Sequence, residues 1–476
     1  MLKSKDGQQD FFDLHIFSRM IPEDHPLVQI KKNVDFSFVT GVVADLYDPV
    51  NGRPSYPPES LFRVLFLEVW AGLSDVQVCR ELKYNVLYRW FCDFGWDDIV
   101  PDDTTLVVFR KRLGEEKFRE LFERVVEEAK AKKCLRGHWT IIDGTKVIAH
   151  VAVKNTLSLV REGRKRVLRN LARVDAAKAE ELQNLAAPLP DADYSSHTEL
   201  LAAEIEQGKK FLAAVGDCTT DESVGRECAL YAAVLNGEGV ASFSDPEARW
   251  GFKKKDEPFL GYKVHAACDQ TGIVTAVEVT PGNEAELEPA KEMIAALEER
   301  ELKASRLAAD KGYDDSTFRT ELVESNIKPY IPNRTKKDRL EEQGFKYNPK
   351  SKVLRCKAGK KAIGSTPHKN GGLTYYFSEK DCAACPYRNS CLSKTETRKR
   401  AYVKPEVLAN RPRGIKIAMR IRRTIERIFG EAKTWHGMAR ARYRGRFRVA
   451  IQVFLTFICL NVKKMAQRTA AQLATA

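Results

Sequence analysis

Nowhere in its 476 residues does the chain carry an uninterrupted apolar run of the roughly 20 residues that cross a bilayer. The nearest stretch, Val449 to Leu460, is short and holds Gln452 and Thr456, so a buried helix is expected there. The opening Met1-Leu2-Lys3-Ser4-Lys5-Asp6 lacks the apolar core of a secretion signal, and no amphipathic basic anchor is found. These absences exclude a membrane partner and point to the cytoplasm. Acid is in deficit: 65 Asp and Glu stand against 79 Lys and Arg, giving +14 and a pI near 9.1. Such an excess implies a polyanionic partner, with nucleic acid ahead of a membrane surface. The excess is also clustered, at Arg161 to Arg173, Lys394 to Arg400 and Arg411 to Arg448. The eleven cysteines, odd in number in a long chain without a secretion signal, point to reduced thiols and a candidate metal site.

The chain is too long for one compact core and should hold two or three domains. Residues 1–135 read as a helical domain that is a candidate DNA reader or a packing domain. Pro57-Pro58-Glu59 opens a helix to Trp70, Ser74 caps Asp75 to Leu82, and Asn85 to Phe94 is aromatic-rich. Pro101-Asp102-Asp103-Thr104-Thr105 offers N-caps for a helix ending at Leu113, whose last turn carries Arg110, Lys111 and Arg112. From 136 to 470 the pattern is mixed α/β. Trp139 to Ala149 is an apolar strand bearing Asp143, and Leu260 to Cys268 and Ile273 to Val279 form a hairpin. A helix from Glu286 to Glu299 follows, then a strand from Arg306 that ends at Asp310. Two insertions interrupt this order. Residues 155–240 are helical and charged, with Arg164, Lys165, Arg166, Arg169 and Arg173 read as a phosphate-tracking stripe or a solvated face. Residues 334–405 bear cysteines.

The most informative stretch is Arg422-Arg423-Thr424-Ile425-Glu426-Arg427, within a helix expected over Ile415 to Trp435. At about 100° per residue, Ile417, Ile421, Ile425, Ile428 and Ala432 share an apolar side, while Arg422, Glu426 and Lys433 fall together on another. An acid between cations on a helix can be an ordinary surface ladder. Two strand-borne aspartates and one helical glutamate, however, are hard oxygen donors suited to a pair of Mg²⁺ (or Mn²⁺) ions. Two such ions can activate a water or a 3′-hydroxyl and stabilise the leaving oxygen of a phosphodiester.

These residues carry a resemblance. Asp143-Gly144-Thr145, Ala309-Asp310-Lys311-Gly312-Tyr313-Asp314, and Arg422, Glu426 and Lys433 are similar in order and spacing to the three acidic motifs of bacterial insertion-sequence DDE transposases. Met419 stands where that family's third motif has a tyrosine. Gly261-Tyr262-Lys263-Val264-His265 with Thr280-Pro281-Gly282-Asn283 resembles the hairpin between the first two motifs, and His436 to Gly445 also resembles the family. The resemblance implies an RNase H-like core sheet with helices on both faces, beside an all-α N-terminal domain and the two insertions. It implies Asp143, Asp310 and Glu426 as catalytic metal ligands, with Arg422 and Lys433 on DNA phosphates. Arg110, Lys111, Arg112, Arg440, Arg442 and Arg444 are further DNA-contact candidates. Asp245, in Ser244 to Trp250, is a rival acid or a turn former.

The activity so implied is Mg²⁺-dependent cleavage and strand transfer at the ends of the protein's own element. Its partner would be double-stranded DNA, both transposon ends and target, engaged as a homodimer at the bacterial nucleoid. The rivals are a domesticated or inactive DNA-binding scaffold and a metal-dependent nuclease that cuts without joining.

Cys356, Cys382-Ala383-Ala384-Cys385 and Cys391 form a separate group in a segment too small to bury much core. Four thiols so spaced are candidates for a structural Zn²⁺, with an iron–sulphur cluster or unligated thiols as alternatives. Cys79, Cys92, Cys134, Cys218, Cys228, Cys268 and Cys459 are scattered and read as core or surface thiols.

Overall fold

The computed structural model describes residues 11–48, 51–52, 54–216, 221–252, 256–332, 339–348, 351–369, 371–404 and 414–475. Cys218 and Arg411 lie outside the described residues. The chain divides into two compact units: residues 1–136, 143–299 and 425–476, and residues 137–142 with 300–424.

In the first unit, short helices at Phe11–Met20, Pro26–Asn33 and Phe38–Val43 precede α1 (Pro58–Trp70), α2 (Asp75–Tyr84) and α3 (Asp103–Ala131). Pro58 opens α1 without wasting a donor, and nearly every later residue of α1 is buried. A capping box starts α2: Ser74 Oγ accepts from the Gln77 amide at 3.3 Å while Gln77 Oε1 accepts from the Ser74 amide at 2.9 Å. Asp102 caps α3, accepting from the Thr105 amide at 2.7 Å. The expected end at Leu113 is a kink, because Gly114 has φ 66° and the helix resumes beyond it.

The strand β1 (Thr140–Ile148) passes from the second unit into the first after Ile142. Within the first unit, β3 (Pro258–Asp269) neighbours it and pairs antiparallel with β2 (Arg249–Phe252) and β4 (Val274–Pro281), with a bulge at Ala267/Cys268. No strand was expected over Arg249–Phe252. Between β1 and β2 the helical insertion folds as α4 (Thr156–Val174), α5 (His197–Val215) and α6 (Glu222–Leu235), with two short helices after α4. It owns a core that includes Val160, Val167, Leu171, Phe211 and Tyr231. The basic stripe is neither phosphate track nor solvated face at its centre. Arg164 is fully buried against the equally buried Glu204, and Arg166 grips Glu227 through two bonds of 2.7 and 2.8 Å. α7 (Leu287–Glu299) follows β4.

In the second unit, β5 (Arg306–Ala308) pairs in parallel with β1 at Thr140↔Leu307 and Ile141↔Ala308, and with β6 (Lys328–Tyr330) on its other side. Trp139 packs against Tyr330, ring centroids 4.7 Å apart and planes tilted by 51°, anchoring the start of β1. α8 (Ser316–Glu324) joins β5 to β6. The cysteine segment is more ordered than a loop. It holds a hairpin of β7 (Lys346–Asn348) and β8 (Val353–Arg355) and a small sheet of β9 (Gly364–Pro367), β10 (Leu373–Tyr376) and β11 (Arg400–Val403). Two one-turn helices, α9 (Glu379–Ala383) and α10 (Arg388–Cys391), lie between β10 and β11.

The helix α11 (Ile415–Trp435) passes back into the first unit after Thr424. Ile425, Ile428 and Ala432 are buried as expected, but Ile417 is 60% exposed, so the apolar face does not reach the first turn. α12 (Arg446–Thr475) is the one helix among the described residues long and apolar enough to cross a membrane, yet 89% of that window is buried in the protein. Its Asn461, fully buried, accepts from the Val274 amide and donates to the Val274 carbonyl, each at 2.8 Å, satisfying the backbone of β4.

In the insertion, Tyr231 of α6 is held between Gly163 of α4 and Gly208 of α5. A Cβ at Gly163 would fall 2.1 Å from Tyr231 Cδ2. Gly163→Ala should therefore lower stability by about 1–3 kcal/mol through overpacking, seen as a lower urea midpoint by fluorescence.

Candidate functional site

The three acids come from different elements. Asp143 lies inside β1, half-buried, with Oδ1 accepting from the Gly144 amide at 3.0 Å. Asp310 lies two residues beyond the end of β5, where its Oδ1 accepts from the Gly312 amide at 2.6 Å and caps the 3-10 turn Lys311–Tyr313. Glu426 is exposed on α11, with Arg422 one turn before it and the half-exposed Lys433 two turns after. Each aspartate has one oxygen oriented by a backbone amide, which fixes its rotamer.

Two groups that the sequence did not single out lie against Gly144, the residue after Asp143, within the first unit. A Cβ at Gly144 would lie 3.6 Å from His265 Nδ1 and 3.5 Å from Glu286 Oε1. His265, on β3, is fully buried. Its Nε2 meets Thr280 Oγ1 at 2.9 Å, and Nδ1 is buried with no hydrogen-bond partner. Burial, with a contribution from Lys263, lowers its pKa to about 4. Glu286 lies just before α7. The motif Gly261 to His265 offered a signal for His265, since every second residue of a strand faces one side; nothing local marked Glu286.

The basic candidates separate by burial. Arg110 is only 6% exposed and is bonded to Glu68 at 3.0 Å and to Asp75. Arg442 binds Glu68 and the Leu73 carbonyl, both at 2.8 Å. Burial pushes the Glu68 carboxyl upward, against the pull of Arg110 and Arg442. Arg110 and Arg442 thus hold α1 and α2 to the segment before α12, and the expectation that they contact DNA gives way to this internal role. Lys111 and Arg112 are exposed, Arg112 over the Tyr47 ring at 4.6 Å. Arg440 and Arg444 are exposed beside the end of β1: Ile148 bridges Arg440, and Arg444 Nε donates to the His150 carbonyl at 3.3 Å. Asp245 is fully buried, accepting from Tyr262 Oη at 2.5 Å and the Gly445 amide at 3.1 Å, which makes it a strut.

In the second unit, Cys356, Cys382, Cys385 and Cys391 line one pocket of about 30 Å³. Among the described residues, no three His, Cys, Asp or Glu side chains are closed into a metal-holding set.

Two outcomes follow from the first unit. Arg110→Met should cost about 3–5 kcal/mol by stranding Asp75 and leaving Glu68 with Arg442 as its remaining partner, measured by chemical denaturation. For His265 the folded pKa, about 4, lies below the ordinary 6.5. Its contribution to stability is therefore complete above pH 6.5 and is lost as pH falls toward 4. His265→Gln should flatten the acid side of the stability profile across that window, measured as melting temperature against pH.

Comparison with known proteins identifies the family. The family model "Transposase domain (DUF772)" matches residues 15–112, and "Transposase DDE domain" matches residues 233–462, so together they cover well over half of the chain. The second match includes Asp310 and Glu426; Asp143 precedes it. The transposase for insertion sequence element IS1106 of Neisseria meningitidis serogroup B is 25% identical over 268 residues, 55% of this chain and 68% of that protein. With residues 15–112 and 233–462 matched in order to transposase domains and an insertion-sequence relative aligned over 55% of the chain, the chain belongs to the insertion-sequence DDE transposases.

Proposed function

We propose that this chain cuts DNA at the ends of its own element and joins those ends to a target, using Asp143, Asp310 and Glu426 as one catalytic set for two Mg²⁺ or Mn²⁺ ions on an RNase H-like core. The observation that carries the reading is strand register. Ile141 pairs with Ala308, and each aspartate follows its paired residue by two positions. The donor set fits hard divalent cations: all three ligands are carboxylates, and the anchored oxygens of Asp143 and Asp310 leave the carboxyl planes fixed. When bound there, the metal supplies an activated water or 3′-hydroxyl and stabilises the leaving oxygen.

The chain's own residues do the rest. Arg422 and Lys433, on the helix that bears Glu426, hold phosphates on either side of the scissile bond. Arg440 and Arg444, exposed at the end of the strand that bears Asp143, extend that contact along the backbone. Lys111 and Arg112 add sequence-independent affinity from the N-terminal helices. Two ends must be brought together, so a homodimer on DNA is the working form, in the cytoplasm at the nucleoid.

Glu426→Gln should bind end-containing DNA as wild type does by mobility shift, yet lose nicking by at least about 100-fold, as expected when an electrostatic group of the transition state is removed. Nicking at the wild-type rate would remove Glu426 from the mechanism. With wild type, EDTA should abolish cleavage. Recovery of joined product in Mg²⁺ separates a transposase from a nuclease, and DNA binding with no cleavage in Mg²⁺ would support the inactive scaffold instead.

A further inference from the structure

The cysteine segment carries chemistry that the DDE reading does not use. Cys356 follows β8 in a tight turn: Gly359, at φ +80°, donates its amide to the Cys356 carbonyl at 2.8 Å, and the Cys356 amide donates to Lys360 O at 2.9 Å. Cys382 sits on α9, Cys385 one turn later with its amide on Cys382 O at 3.4 Å, and Cys391 ends α10. A turn after one cysteine and a Cys-x2-Cys on a helical turn aim thiols inward from two sides. All four are free, half-buried, and face the same pocket.

Three further features bear on what the pocket takes. It is a small cavity, about 30 Å³, with room for a metal ion. Lys360, Arg388 and Lys399 line it as well, together with Asp381, which pairs with Lys360 at 2.9 Å. Four thiolates around a dication leave a charge of −2, which these cations offset. Finally, the local core is small: Leu340, Phe345, Leu354, Tyr375, Phe377, Ala401 and Val403, with Cys356, Cys382 and Cys391 at its edge. A cluster of that size is normally supplemented by a staple.

We propose that Cys356, Cys382, Cys385 and Cys391 close on one structural Zn²⁺, which ties the turn after β8 to α9 and α10. On binding, each thiol gives up its proton to solvent and its sulfur becomes a ligand, so the cost is proton release and the gain is folding free energy for the segment. The site is independent of the acids: losing it and losing the catalytic reading are separate events.

The test uses full-length protein purified under reducing conditions. Elemental analysis should find one zinc per chain in wild type, in Asp310→Asn and in Cys228→Ser. Less than about a tenth of a zinc per chain in all three would overturn the proposal, as would bound iron with a sulfide-to-iron absorption band. Cys382→Ser with Cys385→Ser should lose the metal and gain trypsin cleavage at Lys394 to Arg400. Because that variant can misfold, wild type exchanged into Co²⁺ is the second measurement. Tetrahedral thiolate ligation should give intense visible bands, and their absence would count against the site regardless of the variant's fate.

Discussion

Parallel pairing of β1 with β5 is the constraint on which the catalytic reading depends. Two hydrogen-bonded positions, Thr140↔Leu307 and Ile141↔Ala308, set the register of chain segments more than 150 residues apart. A slip by one residue would turn every following side chain to the opposite face. The register is therefore defended by burial: Ile141, Ile142, Leu307 and Ala308 are fully buried, and Trp139 on Tyr330 fixes where β1 begins. Both strands then run into aspartates. β1 continues through Asp143 as a strand, whereas β5 stops and Asp310 caps a turn.

The charge of the chain has two destinations. A basic protein of this size must keep part of its excess outside for a polyanion, but some arginines are consumed in construction. Arg110 and Arg442 meet at Glu68, and Arg164 with Arg161 meets at Glu204, in each case where helices from distant parts of the sequence pack. Buried networks of this kind are weak evidence for stability, because desolvation offsets most of the attraction. They do penalise any packing that leaves one partner behind. Lys111, Arg112, Arg440 and Arg444 are among the basic side chains that stay exposed, and the proposed function gives them the phosphate backbone to meet.

Much of the scaffold was legible in the sequence because it rests on local rules. The β1 strand, the β3–β4 hairpin, the capped helix α2, the first part of α3 up to Leu113 and the helix bearing Glu426 follow from periodicity, turn residues and caps. What was not legible depends on partners far away. Arg110 looks like any basic helix terminus until Glu68 and Asp75 are packed against it. Arg249–Phe252 is a strand because β3 offers it an edge. The strands of the cysteine segment are three or four residues long, too short for alternation to register. His265 and Glu286 come up against Gly144 only once the hairpin and the start of α7 have folded back over β1. Ile417 was misjudged for the opposite reason: its spacing fits the apolar face, but that face is buried only from farther along the helix.

The helical insertion between β1 and β2 carries its own hydrophobic interior, closed by Tyr231 and the Arg164–Glu204 pair. Neither family match extends over α4 or α5. A segment that satisfies itself in this way can be acquired, trimmed or exchanged as a lineage diverges, while the host strands keep their pairing. Mobile elements spread by copying, and copies accumulate errors. A graft of this sort gives such a lineage one region in which length can vary without first destroying the catalyst.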